Sequence, residues 1–313
     1  MFKFDGVAGD PTELADEIDA MLKLIAEIRR EEGSCESDTC TAVTKAKRSV
    51  WINLTTGTWP SPWFLLAADS IWRGQRDVLT PGWMGMNGAT NRQRWQVFRE
   101  CVVYHLVAQR AYLFPLSALM IHGVVLGAHG EAGHLGLNQA SDLDFRQEVW
   151  SFVAMGFQLQ ELYVSPPLMT DLRWDILATA LRWASGNHDL LLDSHWALPA
   201  TCLEADPELL PHGTAAWNHT GGVIFLRNPR AVQQTTASFQ LQEMLELNSE
   251  EKTAGNSLEI RVVQYLSDLK EQWSCALLEN SAEVADSCVI APSTDTAVVL
   301  PALAVIVLEL RWQ

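Results

Sequence analysis

Over the first 190 or so residues, short apolar runs alternate with segments of helical period, and this alternation constrains the fold more than any other feature. Phe2-Lys3-Phe4 reads as a strand. Asp10-Pro11-Thr12-Glu13 then supplies a helix start, with Asp10 as cap and Pro11 in the first turn. Leu14, Ile18, Met21, Leu22, Ile25 and Ile28 follow as one apolar stripe. Val50–Leu54, Trp63–Asp69, Leu113–Val125 and Leu159–Val164 read as four more strands. Between them lie a helix turning Trp95, Phe98, Val102 and Leu106 inward and another carrying Phe145, Val149, Phe152 and Val153. Thr170 caps a last helix with Leu172, Ile176, Leu177, Leu181 and Trp183 on one face. Such repetition predicts an α/β fold of parallel strands joined by right-handed crossovers. Five strands are visible where a closed barrel needs eight, so residues 1–190 read as an incomplete (β/α)8 barrel.

From about residue 191 the pattern changes. Pro199, Pro207, Pro211 and Gly213 punctuate a linker over residues 191–213. Beyond it, Ala215-Ala216-Trp217, Val223–Leu226, Leu258–Val263 and Ala302–Leu310 are strand-like runs separated by turn residues. Residues 214–313 therefore read as a small antiparallel β-sandwich.

Composition excludes some partners. Lys and Arg number 22 against 38 Asp and Glu, for a formal charge of −16, and no dense basic patch occurs. Nucleic acid is therefore an unsuitable ligand. The stretches Ala111–Ala128 and Ala297–Leu308 are interrupted by Pro115 and Pro301 and read as buried strands rather than membrane spans. Six cysteines are too few and scattered for a disulfide framework; Cys35 and Cys40 read as a local pair or as free thiols. His129 and His134, with Glu131 between them, resemble a metal cluster only superficially. No metal or cofactor is expected. Tryptophan faces are good platforms for sugar rings, while core packing is the first reading of any one of the 13.

The chemistry is expected at two aspartates, Asp5 and Asp69, each closing an apolar run. An acid at the C-terminal end of a barrel strand sits where that fold keeps its active site. Two carboxyls facing one pocket are the working parts of a glycoside hydrolase.

The blocks Phe2-Lys3-Phe4-Asp5, Ile52-Asn53-Leu54-Thr55-Thr56-Gly57-Thr58-Trp59 and Ala68-Asp69-Ser70-Ile71-Trp72-Arg73-Gly74 come in the order of the central strands of the melibiase (α-galactosidase) superfamily, which the chain resembles. It is most similar there to a bacterial set of α-galactosidase-like proteins sometimes labelled enterotoxins. Leu116–Met120 with His122-Gly123, Leu159–Tyr163 and the Gly222–Pro229 strand extend the resemblance over most of the chain.

The resemblance implies about five C-terminal strand–helix units of the barrel, a retaining glycosidase acting on an α-linked sugar, and a carbohydrate as partner. By it Asp5 is the nucleophile, Asp69 the acid/base, and Lys3 a donor to sugar hydroxyls. Trp59, Trp72, Arg73 and His122 are substrate-binding candidates. Glu161 faces either the barrel interior or a helix. A non-catalytic relative with a scaffold or glycan-binding role is the alternative. The first three barrel strands have no counterpart in the chain, which implies a missing N-terminal half or self-association. The family leans towards secretion.

Overall fold

The computed structural model describes residues 1–4, 14–33, 50–55, 62–72, 86–110, 114–201, 209–253, 257–266 and 287–313. Its N-terminal part runs through β1 (Phe2–Phe4), α1 (Ala15–Gly33), β2 (Ile52–Leu54), β3 (Ser70–Trp72), α2 (Asn91–Tyr104), β4 (Leu119–Met120) and β5 (Val124–Leu126). It continues with α3 (Gly130–His134), α4 (Asp142–Ala154), β6 (Leu162–Val164) and α5 (Asp171–Gly186). Strands β1 to β4 pair in parallel and in chain order, placing Phe4 beside Leu54, Leu54 beside Ile71 and Ile71 beside Leu119. After β4 the chain passes through Ile121-His122-Gly123 into β5, which pairs in parallel with β6. Six short parallel strands thus lie in two sheets, β1–β4 and β5–β6, where the alternation predicts five strands.

Paired positions in a parallel sheet share a face, and neighbours along a strand alternate. Leu54, Ile71 and Leu119 are fully buried and belong to one core with Met21 and Ile25 of α1. This is the helix-covered face. Lys3, Asn53 and Ser70 are also paired, one residue out of step, and occupy the opposite face.

One expected strand is not a strand. Pro62–Leu66, overlapping the run Trp63–Asp69, forms a 3-10 turn, and β3 begins only at Ser70. Pro62 suits the first turn of a helix, and Leu and Ala without β-branching favour helical geometry over a pleat. The last helix also differs in detail. Thr170 caps it as expected, accepting from the Arg173 amide at 3.3 Å, but Leu172 points outward while Ile176, Leu177, Ala180 and Ala184 are buried.

The C-terminal part is an antiparallel six-stranded sheet. It comprises β7 (His195–Leu198), β8 (His212–Asn218), β9 (Gly221–Arg227), β11 (Leu258–Leu266), β12 (Ser287–Ile290) and β14 (Val305–Trp312). A two-stranded sheet, β10 (Thr235–Gln240) with β13 (Asp295–Leu300), accompanies it. Alternation along β9 and β14 sends Ile224, Leu226, Ile306 and Leu308 towards Ala237, Val298 and Leu300 of the small sheet. The intervening Val223, Phe225, Val305 and Val307 pack into the N-terminal core with Phe152 and Ala180. β7 lies inside the stretch 191–213 expected as linker, so the sheet begins earlier than the sequence suggests.

Buried polar groups join the two parts. Gln147 on α4 donates to the carbonyls of Leu266 and Leu303 at 3.1 and 3.0 Å. On α2, Arg92 and Arg99 converge on Glu148, whose Oε1 also accepts the Val125 amide at 2.7 Å. Burial pulls both guanidiniums down to about 10. Cys101 and Cys288 each belong to a disulfide, so cross-links occur beyond the local Cys35–Cys40 pair that the scattered spacing suggests. Cys35 and Cys40 lie outside the described residues. No described helix is long and apolar enough to cross a membrane.

Candidate functional site

The face of the β1–β4 sheet opposite the α1-covered core carries a row of polar side chains. Lys3 is exposed, whereas Asn53 and Ser70 beside it are fully buried. Asn53 donates from Nδ2 to Ser70 Oγ at 2.7 Å, and Trp51 donates to the same oxygen at 3.0 Å. A residue further along β3, Trp72 occupies this same face by alternation. Its ring meets His122 edge-on at 4.8 Å, and His122 meets Tyr163 of β6 at 5.3 Å and Trp95 of α2 at 6.0 Å. His122 is thus held among three aromatic rings just beyond β4.

Glu161 completes this group. It stands two residues before Tyr163, so both side chains leave the strand on one side. The Tyr163 hydroxyl donates to Glu161 Oε2 at 2.9 Å. Partial burial raises the carboxyl above the ordinary glutamate value; the Tyr163 hydrogen bond and the positive charge of Lys3 oppose that rise. Glu161 therefore stands, directly before β6, within the electrostatic influence of Lys3 on β1.

Gly123 explains how β5 and β6 come together beside it. A Cβ there would lie 1.9 Å from the Glu161 carbonyl oxygen, so only glycine permits the approach. Arg99 donates to the Gly123 carbonyl at 2.8 Å and fixes the same segment from the helix side.

Asp69 is not part of this group. It precedes β3 instead of closing a strand, and alternation puts it on the helix-covered face with Ile71. Its Oδ2 accepts from Arg29 of α1 at 2.7 Å and from the Ile52 amide at 2.6 Å. The Asp69 amide in turn donates to the Ile52 carbonyl at 2.9 Å. Asp69 is therefore tied down at the N-terminal end of the sheet, two residues behind the level of Phe4, a separation of about 7 Å along the strands. The structure thus does not bring Asp69, expected as the acid/base, together with this group. Asp5, Trp59 and Arg73, and also Trp83, lie outside the described residues.

The structure therefore brings together Lys3, Trp72 and His122 of the expected site. It adds Tyr163, which the sequence reading did not single out, and Glu161. The i, i+2 spacing of Glu161 and Tyr163 in a strand was the available signal. An open cleft of ≈ 560 Å³ elsewhere is lined by Asn91, Arg92, Ser141, Asp144 and Arg173. Arg173 there is occupied by Asp142 and by the carbonyls of Leu168 and Ala140. Among the described residues no group of three or more His, Cys, Asp or Glu side chains is placed to hold a metal ion.

No family model matches the chain, and no curated protein matches its sequence. Solved structures do resemble it. An α-amylase from Geobacillus thermoleovorans bound to acarbose is 10% identical over 86% of this chain and 55% of its own, with a TM-score of 0.42. A Bacteroides fragilis protein named as a candidate α-galactosidase is 12% identical over 88% of this chain and 53% of its own, at 0.44. AmyP in complex with maltose is 9% identical over 93% and 61%, at 0.45. The chain spans little more than half the length of these structures, and likeness at this level decides neither fold nor activity.

Proposed function

We propose that this chain is part of an α-glycoside hydrolase built on an incomplete (β/α) barrel, α-galactosidase-like in its substrate. The observation that carries the reading is the group Lys3, Trp72, His122, Glu161 and Tyr163, contributed by the β1–β4 sheet, the turn after β4 and the β5–β6 pair. Convergence of polar and aromatic side chains from several parallel strands is how barrel enzymes assemble a pocket. A donor, an acceptor and aromatic surfaces are what a neutral sugar requires. Asp5, two residues after Lys3 in the Lys-aromatic-Asp motif, is proposed as the nucleophile that forms the glycosyl–enzyme bond. A cation at i−2 favours the ionised state such a nucleophile needs.

Asp69 is left out of this mechanism because its carboxylate is engaged by Arg29 and Ile52. That engagement favours one second reading, a non-catalytic descendant that keeps the sugar-binding face. The two disulfide-bonded cysteines support an exported protein.

Hydrolysis of nitrophenyl α-galactoside by the full chain, with the Asp5→Asn variant in parallel, separates the readings. The enzyme reading expects turnover that Asp5→Asn abolishes. Turnover retained by Asp5→Asn rejects Asp5 as nucleophile. Sugar binding without any turnover supports the non-catalytic descendant.

A further inference from the structure

We propose that Glu161, positioned by Tyr163, is a specificity-determining residue that accepts hydrogen bonds from the hydroxyls of a neutral sugar ring held on its other side by Lys3. This deepens the proposed function and rests on its sugar-binding part only.

Four observations carry it. First, Lys3 stands on β1 of the four-stranded sheet and Glu161 directly before β6 of the separate β5–β6 pair, and the positive charge of Lys3 favours the ionised Glu161 carboxyl. Second, Glu161 is not consumed by a structural ion pair, in contrast to Glu100, Glu148 and Asp69; its hydrogen bond is from a phenol. One oxygen is held by Tyr163 and the other is left to a ligand. Third, the pair sets the charge of the ligand. Lys3 disfavours a cation and Glu161 disfavours an anion, so an uncharged molecule rich in hydroxyls suits both. Fourth, Tyr163, 42% exposed, joins His122 and Trp72 in an aromatic wall against which the C–H face of a ring can pack.

The chemistry follows directly. An ionised carboxylate only accepts hydrogen bonds and an ammonium only donates. A sugar hydroxyl does both, so it bridges the two. A bond from a hydroxyl to a carboxylate is short and about twice as strong as one between neutral groups. Tyr163 holds Glu161 in one rotamer, so less freedom is lost when the sugar arrives.

The test is binding of methyl α-galactoside and its 2-, 3-, 4- and 6-deoxy analogues to the full-length chain by calorimetry, with nitrophenyl α-galactoside hydrolysis measured alongside. Glu161→Gln is expected to weaken the parent sugar about 10- to 100-fold, the loss typical of a charged hydrogen-bond partner. Against the analogue lacking the hydroxyl that Glu161 takes, wild type and Glu161→Gln should bind alike. Tyr163→Phe should weaken the parent by a smaller factor, and Glu161→Asp should restore part of the loss. Thermal melts of each variant show whether the fold is kept. Equal affinity of Glu161→Gln and wild type would overturn the proposal. An equal loss on the parent and all four analogues would overturn it too, since that is what a purely structural residue gives. Failure of the wild type to bind any of these sugars would also overturn it. Binding by the wild type without hydrolysis would instead remove the catalytic reading and leave this assignment standing.

Discussion

Arg227 on β9 donates from Nε to Glu100 Oε2 on α2 at 2.6 Å, with both side chains sealed from water. His212 on β8 reaches the same oxygen at 2.8 Å, and Arg227 also donates to Gln96 Oε1 at 3.3 Å. Glu100 is thus the point where a helix of the parallel part is locked to the antiparallel sheet. A buried carboxylate is costly unless fully partnered, so the lock holds only while all its members are present.

Acid should open this lock. Burial alone would raise the Glu100 carboxyl, but Arg227 and His212 outweigh it and bring the value down from 4.5 to about 2. A depressed carboxylate contributes stability that is present above its unfolded value and lost as pH falls through its folded value. The loss is therefore expected between about pH 4.5 and 2. Urea midpoints measured across that window should drop more steeply for the wild type than for Glu100→Gln. At neutral pH, removing Glu100 leaves Arg227 buried without its partner and should cost roughly 3–5 kcal/mol. Parallel pH profiles for the two proteins would reject this account.

Asp69 should behave as a structural residue. Its side chain and that of Arg29 are each about a third exposed, at 33% and 34%, so solvent weakens the ion pair. The Ile52 amide bond adds to it, and Asp69→Asn is expected to cost about 1–2 kcal/mol in stability. Arg29→Ala should cost less once Asp69 is already changed, a coupling readable in a double-mutant cycle. In any active preparation, Asp69→Asn should lower rates by one common factor for good and poor leaving groups. A selective loss on poor leaving groups would instead mark a proton donor.

What the sequence conveyed depended on how local the determining contacts are. Trp95, Phe98, Val102 and Leu106 were recognisable as the inward stripe of α2 because helical period is a local property, and all four are buried. Arg92, Gln96, Arg99 and Glu100 on the same helix are equally buried. Their partners Glu148, His212 and Arg227 lie up to 131 residues away, and hydropathy alone assigns such side chains to the surface. The misreading of Trp63–Asp69 had a different origin. A short apolar run fits a buried strand or a helical turn equally well, and Pro62 decides for the turn. Read as a strand, the run places Asp69 at its end, whereas Asp69 stands before β3 on the helix-covered face. The Lys3–Glu161 relation joins residues 158 positions apart at two different sheets, which no local pattern conveys.

Gly123 should be intolerant of any side chain. Its added Cβ would meet the Glu161 carbonyl oxygen at 1.9 Å and the carbonyl carbon at 2.7 Å, both backbone atoms that cannot rotate away. Gly123→Ala must push β6 from β5 and carry Glu161 with it. A destabilisation of about 1–3 kcal/mol or more is expected. Methyl α-galactoside affinity should fall even in the fraction that stays folded. A variant with wild-type melting temperature and affinity would mean that β6 is not anchored at this point.

The edges of the parallel sheet give the last prediction. Among the described residues, β1 and β6 each pair on one side only, leaving a row of backbone donors and acceptors on the other. Phe2 is 49% exposed on β1 and Leu162 41% exposed on β6. An open strand edge beside exposed apolar side chains is a template for pairing with another chain. Covering one such side chain fully is worth about 1.5–3 kcal/mol, so a few contacts suffice for association. Residues 1–313 as a purified chain are expected to self-associate, with apparent mass rising with concentration in sedimentation velocity. A charge on the edge opposes such pairing, so Leu162→Lys and Phe2→Lys should each shift the distribution towards monomer. Neither residue shares a face with Glu161 or Lys3, so sugar binding by the monomer should persist. A wild-type chain that stays monomeric over the whole concentration range, indistinguishable from Leu162→Lys, would show that these edges attract no partner of this kind.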